Sequence, residues 1–144
     1  MARKILVVDD ESDIRELLKN FLATEGYDVI LAADGEAAMR LAAEENPDVI
    51  ILDIRMPGID GIETCRRLRA NKGTSRIPVI VATALRDALM ESLEAGADDF
   101  VTKPFHLVEL SLRLKSIFRI RNLTGELDRV VAYINELTKN LAHL

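Results

Sequence analysis

The sequence lacks several features that would assign a chain to a secreted or membrane class. It holds 1 cysteine in 144 residues, so an intramolecular disulfide is impossible and the redox compartment is left open. Only four apolar residues separate the basic pair Arg3-Lys4 from Asp9, which is too few for a secretory signal peptide. No apolar run approaches membrane-spanning length. We therefore expect a cytoplasmic protein.

The chain also lacks an excess of positive charge. Its net charge of -5 argues against a general nucleic-acid-binding surface. With 49% hydrophobic and 30% charged residues, it can bury a core and still carry a polar surface. A length of 144 residues fits one domain with an appendage. Cys65 lies in a helical pattern, and we expect a small buried residue there rather than a reactive thiol.

Short apolar runs alternate five times with helical patterns. We expect strands near residues 4–8, 28–32, 49–53, 78–82 and 99–102, and helices near 12–24, 35–45, 61–71, 86–95 and from about 106 onward. This alternation predicts an α/β fold, a doubly wound parallel sheet with helices on both faces. Ser12, Asp34 and Asp60 are placed to cap helices at their start. Gly26 and Gly96 are placed to end them.

Five polar residues stand where the apolar runs stop, and they are Asp9, Asp10, Asp53, Thr83 and Lys103. Ligands bind at the carboxyl ends of the strands in such sheets, so we expect these side chains to converge on one crevice. Neighbouring acids repel one another unless a cation lies beside them. Clustered carboxylates without convergent histidine or cysteine suit Mg²⁺ rather than zinc.

The crevice carries the groups that phosphoryl transfer requires. A carboxylate can act as the nucleophile, while Mg²⁺ and the Lys103 ammonium offset charge on the phosphoryl oxygens. The Thr83 hydroxyl supplies a hydrogen-bond donor. Each residue alone has an ordinary explanation, since an aspartate after a strand is commonly a cap and Lys103-Pro104 fits a turn. Their joint placement at four strand ends favours a site.

Four segments of the chain resemble the receiver domain of two-component response regulators: Ile5–Glu11, Leu52–Gly61, Thr83-Ala84 and Gly96–Phe105. The match covers about residues 3–120. The resemblance implies a flavodoxin-like (βα)5 sheet of order 2-1-3-4-5. It also implies a signalling protein that is not an enzyme in the usual sense, because a receiver catalyses only its own phosphotransfer and dephosphorylation.

The resemblance further implies how the acidic residues act. Asp53 would be the phosphate acceptor and would carry an aspartyl phosphate. Mg²⁺ would be held by Asp9, Asp10, Asp53 and the backbone carbonyl of Arg55. The phosphoryl donor would be a sensor histidine kinase or a phosphotransfer protein. The on/off equilibrium would then be transmitted through the fourth helix, the fifth strand and the fifth helix.

Three more residues would respond to the phosphoryl group if the resemblance holds. Lys103 would contact it, Thr83 would turn toward it, and Phe100 would follow as the aromatic switch. The positions two after Asp53 and two after Thr83 are Arg55 and Leu85, which border the attacking water in this family. We expect the bulky Leu85 to hinder that water and to lengthen the phosphorylated lifetime.

The last helical segment carries an unbroken heptad seam of apolar residues spaced alternately by three and four positions: Ile120, Leu123, Leu127, Val130, Ile134, Leu137, Leu141 and Leu144. We place the receiver domain at residues 1–120 and a coiled-coil helix, continuing the fifth helix, at 121–144. We expect a homodimer through residues 120–144, in front of an output domain that the sequence does not identify. The same helix is also compatible with docking on that output domain.

Other functions fit the sequence less well. A single-domain receiver would act by docking to a target protein, with the last helix as the docking element. A haloacid-dehalogenase-like phosphatase also uses an aspartate nucleophile with Mg²⁺, but it needs a second aspartate where this chain has Arg55. A pseudo-receiver without chemistry is disfavoured because every site residue is present. We expect no direct nucleic-acid partner and no membrane partner.

Overall fold

The computed structural model describes residues 2–84, 88–121 and 125–142. Its elements are β1 (Lys4–Val8), α1 (Ser12–Thr24), β2 (Asp28–Ala32), α2 (Gly35–Glu45), β3 (Val49–Asp53), α3 (Gly61–Ala70), β4 (Val79–Thr83), α4 (Ala88–Glu94), β5 (Asp99–Thr102), α5 (Leu107–Arg121) and α6 (Gly125–Ala142). The chain divides into two compact units, Met1–Leu107 and Val108–Leu144. Each unit is described by itself.

The five strands form one parallel sheet of order β2-β1-β3-β4-β5, which confirms the predicted flavodoxin-like order. The apolar runs of β3 and β4 are buried along their whole length, as expected for strands covered on both faces. In the register, Val8 of β1 lies beside Leu52 of β3. Asp53 in turn lies beside Ala82 of β4. The carboxyl ends of β1, β3 and β4 therefore lie side by side at one edge of the sheet.

Side-chain hydrogen bonds cap two of the three helices for which a cap was predicted. Asp34 accepts a hydrogen bond from the Ala37 N–H at 2.8 Å, and Asp60 accepts one from the Glu63 N–H at 2.8 Å. The prediction for Ser12 was wrong, because Glu11 is the N-cap of α1 and makes no side-chain capping bond. The turn is ordered instead from β1, since the Asp9 carboxylate accepts the Glu11 N–H at 2.9 Å.

Left-handed residues follow three helices. Gly26 follows α1 at φ +93° and Gly96 follows α4 at φ +104°, which confirms both predicted stop signals. Asn46, the C-cap of α2, has a φ of 47°, and the sequence did not predict this stop signal. Asparagine is one of the few residues with a side chain that enters this region readily.

Arg69, at the carboxyl end of α3, holds together the edge of the sheet opposite the acidic residues. Its Nε donates to the Gly96 carbonyl at 2.9 Å and its Nη1 to the Ile77 carbonyl at 2.7 Å. Its Nη2 lies 2.7 Å from Asp98 Oδ2, and the same oxygen accepts the Val79 N–H at 2.8 Å. One guanidinium therefore joins the segments that enter β4 and β5.

We expect Arg69→Ala to lower the free energy of unfolding by about 2–4 kcal/mol, because it leaves several partly buried acceptors without their charged donor. The matched control is Arg67→Ala on the same helix. The Arg67 guanidinium pairs with Glu63 on the helix surface at 3.5 Å, and its loss should change stability by less than about 0.5 kcal/mol. Urea unfolding measures both. Equal losses in the two variants would contradict the role given to Arg69.

Cys65 is buried in α3, which confirms the prediction of a packed residue. In the second unit, Leu110, Leu114 and Phe118 of α5 are buried, whereas Val130, Ile134 and Leu137 of α6 are exposed. The predicted seam positions Leu123 and Leu144 lie outside the described residues, as does the predicted continuity through residues 122–124.

Over the described ranges, no helix combines the length and apolar character needed to cross a membrane.

Candidate active site

Strands β1 and β3 bring three carboxylates together at the carboxyl edge of the sheet. Asp9 and Asp10 directly follow β1, and Asp53 is the last residue of β3. One carboxylate oxygen from each residue lies within 4.8 Å of the other two. Asp9 and Asp53 are 1% and 5% exposed, while Asp10 is exposed to solvent. The cluster therefore has two desolvated acids and one acid at its entrance.

The ammonium of Lys103 lies between the two buried acids. Its Nζ is 2.8 Å from Asp9 Oδ2 and 3.2 Å from Asp53 Oδ2. The Lys103 backbone N–H donates to the Thr83 carbonyl at 3.0 Å, which fixes the end of β5 against the end of β4. The ring of Phe105 lies with its centroid 5.8 Å from the same Nζ, within the range of a cation–π contact.

Burial and neighbouring charges shift the pKa of both Asp53 and Lys103. Burial raises the pKa of Asp53, and the Asp9 carboxylate raises it further, against the opposing effect of Lys103. Burial lowers the pKa of Lys103, but the hydrogen bond to Asp9 and the charge of Asp53 outweigh that effect, so the pKa is raised overall. A single ammonium thus leaves the acids imperfectly neutralised. Three hard carboxylate donors fit a divalent cation such as Mg²⁺.

A cavity of ≈ 260 Å³ lies over these groups, and its walls are Asp10, Glu11, Asp53, Ile54, Arg55, Thr83, Ala84 and Lys103. The Arg55 N–H donates to Asp53 Oδ1 at 3.3 Å. The other oxygen of Asp53, Oδ2, lies 3.2 Å from Lys103 Nζ. Asp53, Thr83 and Lys103 thus line one cavity. A carboxylate, a hydroxyl and an ammonium are the set of groups that phosphoryl transfer needs.

The close start of α3 against β3 depends on Gly61. Its N–H donates to the Ile54 carbonyl at 2.8 Å. A Cβ at this position would overlap the Asp53 carbonyl oxygen and would lie 2.7 Å from Ile54 Cα, both of which are backbone atoms. Only glycine permits this approach, and the approach holds the loop that carries Arg55. The resemblance included Gly61 within a matching segment but gave it no role.

The structure brings together the five polar residues that the sequence placed at strand ends: Asp9, Asp10, Asp53, Thr83 and Lys103. Phe100 lies beside Val81 in the register of β4 and β5, and it packs against the buried core. Because side chains alternate along a strand, Val81 and Thr83 share one face of the sheet. Leu85, which we expect to border the attacking water, lies outside the described residues.

One cation near the acids was not predicted from the sequence. Arg15, one turn into α1, donates from Nη1 to the Asp9 carbonyl oxygen at 2.7 Å. An arginine on an amphipathic helix normally indicates a solvated face, so its type and spacing gave no signal. The contact depends on how α1 leaves β1, and that geometry is visible only in the structure.

Comparisons with known proteins agree on one family. A family model described as "Response regulator receiver domain" matches residues 5–115. The alkaline phosphatase synthesis transcriptional regulatory protein PhoP of Bacillus subtilis (strain 168) is 47% identical over 121 residues, which are 83% of this chain and 50% of that protein. The chain spans about half the length of the curated relatives it matches.

Solved structures give the same result. The receiver domain of a signal transduction histidine kinase from Syntrophus aciditrophicus has a TM-score of 0.80 and 37% identity, over 87% of this chain and 96% of that one. The receiver domain of a sensor histidine kinase from Pseudomonas aeruginosa PAO1 has a TM-score of 0.75 and 35% identity, over 81% and 97% of the two chains. That second structure has a magnesium ion coordinated in its active site cleft.

Proposed function

Because the chain belongs to the response regulator receiver family, we propose that it accepts a phosphoryl group on Asp53 in a Mg²⁺-dependent reaction. One observation carries this proposal, namely the convergence of three carboxylates within 4.8 Å with the Lys103 ammonium between two of them. The partner that such a regulator implies is a histidine kinase, acting directly or through a phosphotransfer protein. A receiver is a signalling domain and not a conventional enzyme.

We propose that Asp9, Asp10, Asp53 and the Arg55 carbonyl hold the magnesium ion. All four supply oxygen, which is the donor that this cation prefers. The ion coordinated in the Pseudomonas aeruginosa receiver supports the assignment. When bound, Mg²⁺ offsets the negative charge of the carboxylates and of the incoming phosphoryl oxygens.

The chain's own residues account for the remaining chemistry. An Asp53 oxygen attacks phosphorus and forms an O–P bond, while the bond to the donor's leaving group breaks and the leaving group keeps its electron pair. The Arg55 N–H on Oδ1, at 3.3 Å, holds the carboxylate in a fixed orientation. Lys103 contacts an oxygen of the transferred group and offsets charge there, as cationic groups do in phosphoryl transfer. The Thr83 hydroxyl donates to another oxygen of that group.

The new phosphoryl group then shifts a conformational equilibrium. It adds roughly -1.5 to -2 charges, which favours conformations that bring Thr83 inward. Phe100, beside Val81 on the same pair of strands, fills the space that Thr83 leaves. A nearly complete switch needs a differential free energy of about 5.5 kcal/mol, and two or three charge-assisted hydrogen bonds at ~1.5–3 kcal/mol each can supply it. The shift is transmitted through α4, β5 and α5.

Incubation of the protein with a small acyl phosphate and Mg²⁺ tests the proposal. We expect the chain to gain one phosphoryl group, seen by intact-mass spectrometry, and peptide mapping to place it on Asp53. The same incubation with a chelator is the control and should give no gain. Uptake on a serine, threonine or histidine, or uptake that does not depend on Mg²⁺, would contradict the proposal.

We propose that residues 1–120 form the receiver and that residues 121–144 form a coiled-coil helix that joins two copies and leads to an output domain. The heptad spacing supports this, and so does the exposure of three of its members in α6. Val130, Ile134 and Leu137 are 52%, 53% and 45% exposed, so they are available for a partner helix. The cytoplasmic location stays a prediction.

Sedimentation tests the dimer. We expect the protein to sediment as a dimer and the double variant Ile134→Asp, Leu137→Asp to sediment as a monomer, because two charges would be forced into the apolar seam. The control Asn135→Asp changes a charge beside the seam and should stay dimeric. A wild-type monomer at all concentrations would remove the coiled coil from the mechanism.

A further inference from the structure

The peptide that joins Asp9 to Asp10 is held by a side chain from α1. The Asp9 carbonyl oxygen, which belongs to that peptide, accepts a hydrogen bond from Arg15 Nη1 at 2.7 Å. In the side chain of the same residue, Asp9 Oδ1 accepts a hydrogen bond from the Glu11 N–H at 2.9 Å. The Asp9 N–H donates to the Ala32 carbonyl at 3.1 Å. Arg15 is thus the one side chain among these contacts that fixes the peptide plane between the two acids.

We propose that Arg15 is a positioning residue for the divalent-cation site. Its guanidinium sets the orientation of the Asp9-Asp10 peptide, and through it the direction in which the exposed Asp10 carboxylate points. The inference rests on the proposed function, because it concerns the affinity of the acidic cluster for Mg²⁺. Arg15 would not touch the cation itself and would act through the residues that hold the cation.

The charge of Arg15 and its hydrogen bond have opposite effects on a cation. A guanidinium close to the acids repels a divalent ion, so the loss of its charge alone would strengthen Mg²⁺ binding. The loss of its hydrogen bond frees the peptide to rotate and separates the carboxylates, which weakens binding. Groups that orient metal ligands from outside typically change affinity by about 10–100-fold. Whether Mg²⁺ affinity rises or falls when Arg15 is replaced therefore tells which of the two effects dominates.

The experiment measures the dissociation constant of Mg²⁺ by calorimetric titration of the full chain and of three variants. We expect Arg15→Ala to weaken binding by about 10–100-fold and Arg15→Lys, which keeps the charge and a donor, to recover part of it. Lys19→Ala is the matched control. Lys19 is exposed one turn further along α1, and its loss removes a positive charge without touching Asp9, so affinity should stay equal or rise slightly.

The outcomes separate this inference from the function on which it rests. Equal or tighter binding by Arg15→Ala, with normal binding by the wild type, overturns the positioning role and leaves the proposed function intact. A wild type that binds no Mg²⁺ overturns the proposed metal site itself. If Arg15→Ala does not fold, as judged by thermal unfolding without metal, Arg15→Lys decides: weaker binding supports the role and unchanged binding overturns it.

Discussion

Replacing the proposed acceptor, Asp53→Asn, is expected to abolish phosphoryl uptake completely. The side chain keeps its size, but the amide has no anionic oxygen with which to attack phosphorus, so the O–P bond cannot form. Intact-mass spectrometry after incubation with an acyl phosphate and Mg²⁺ measures the loss. The control is Asp28→Asn, at the exposed start of β2, which should take up phosphate at the wild-type rate.

The same variant should fold at least as well as the wild type. Burial and the neighbouring Asp9 raise the pKa of Asp53 above its usual 3.8. An acid with a raised pKa costs stability when it ionises, so the metal-free protein loses stability as pH rises between 3.8 and the raised pKa. Asp53→Asn removes that loss. A lower unfolding temperature for the variant at neutral pH without metal would contradict this electrostatic account.

Lys103→Met is expected to slow phosphoryl uptake by about 10²–10³-fold, as the loss of one preorganised group does at other charge-stabilising sites. Methionine keeps most of the chain length and removes the charge that lies 2.8 Å from Asp9 and 3.2 Å from Asp53. Without it, only the metal and the Thr83 hydroxyl would offset charge on the transferred group. The initial rate of phosphorylation by an acyl phosphate measures the effect.

This variant should change the rate of uptake and not its site. Asp53 is still present, so a long incubation should still place the phosphoryl group on it. Lys72→Met, in the exposed turn after α3, is the matched control and should behave as the wild type does. An unchanged initial rate in Lys103→Met would remove Lys103 from the transfer chemistry and leave it as a structural counter-charge for Asp9.

The sheet and its carboxyl edge could be predicted because each depends on local pattern. Short strands of four or five residues, separated by segments with helical spacing, permit few arrangements other than a parallel sheet. The acids at the ends of β1 and β3 then meet because neighbouring parallel strands end together. Asp34 and Asp60 could be assigned as caps because a cap bonds to a backbone group only three residues away.

The contacts of long side chains could not be predicted in this way. Arg69 reaches Gly96 and Asp98, which are distant in sequence, and Arg15 reaches back to Asp9. Nothing in the spacing of arginines on a helix tells which carbonyl lies within reach, because that depends on how the helix leaves its strand. The wrong expectation for Ser12 has the same origin, since the carboxylate of Asp9 took over the turn that a serine cap would order.

Lys103, which lies between the two buried acids, also determines how the protein behaves without Mg²⁺. Its ammonium is tethered to the chain and reaches both carboxylates, so part of the neutralising charge is always at hand and never diffuses away. We therefore expect removal of Mg²⁺ to stop the proposed phosphoryl transfer and to leave the fold intact. Addition of Mg²⁺ should then restore the phosphoryl transfer, because the protein does not need to refold.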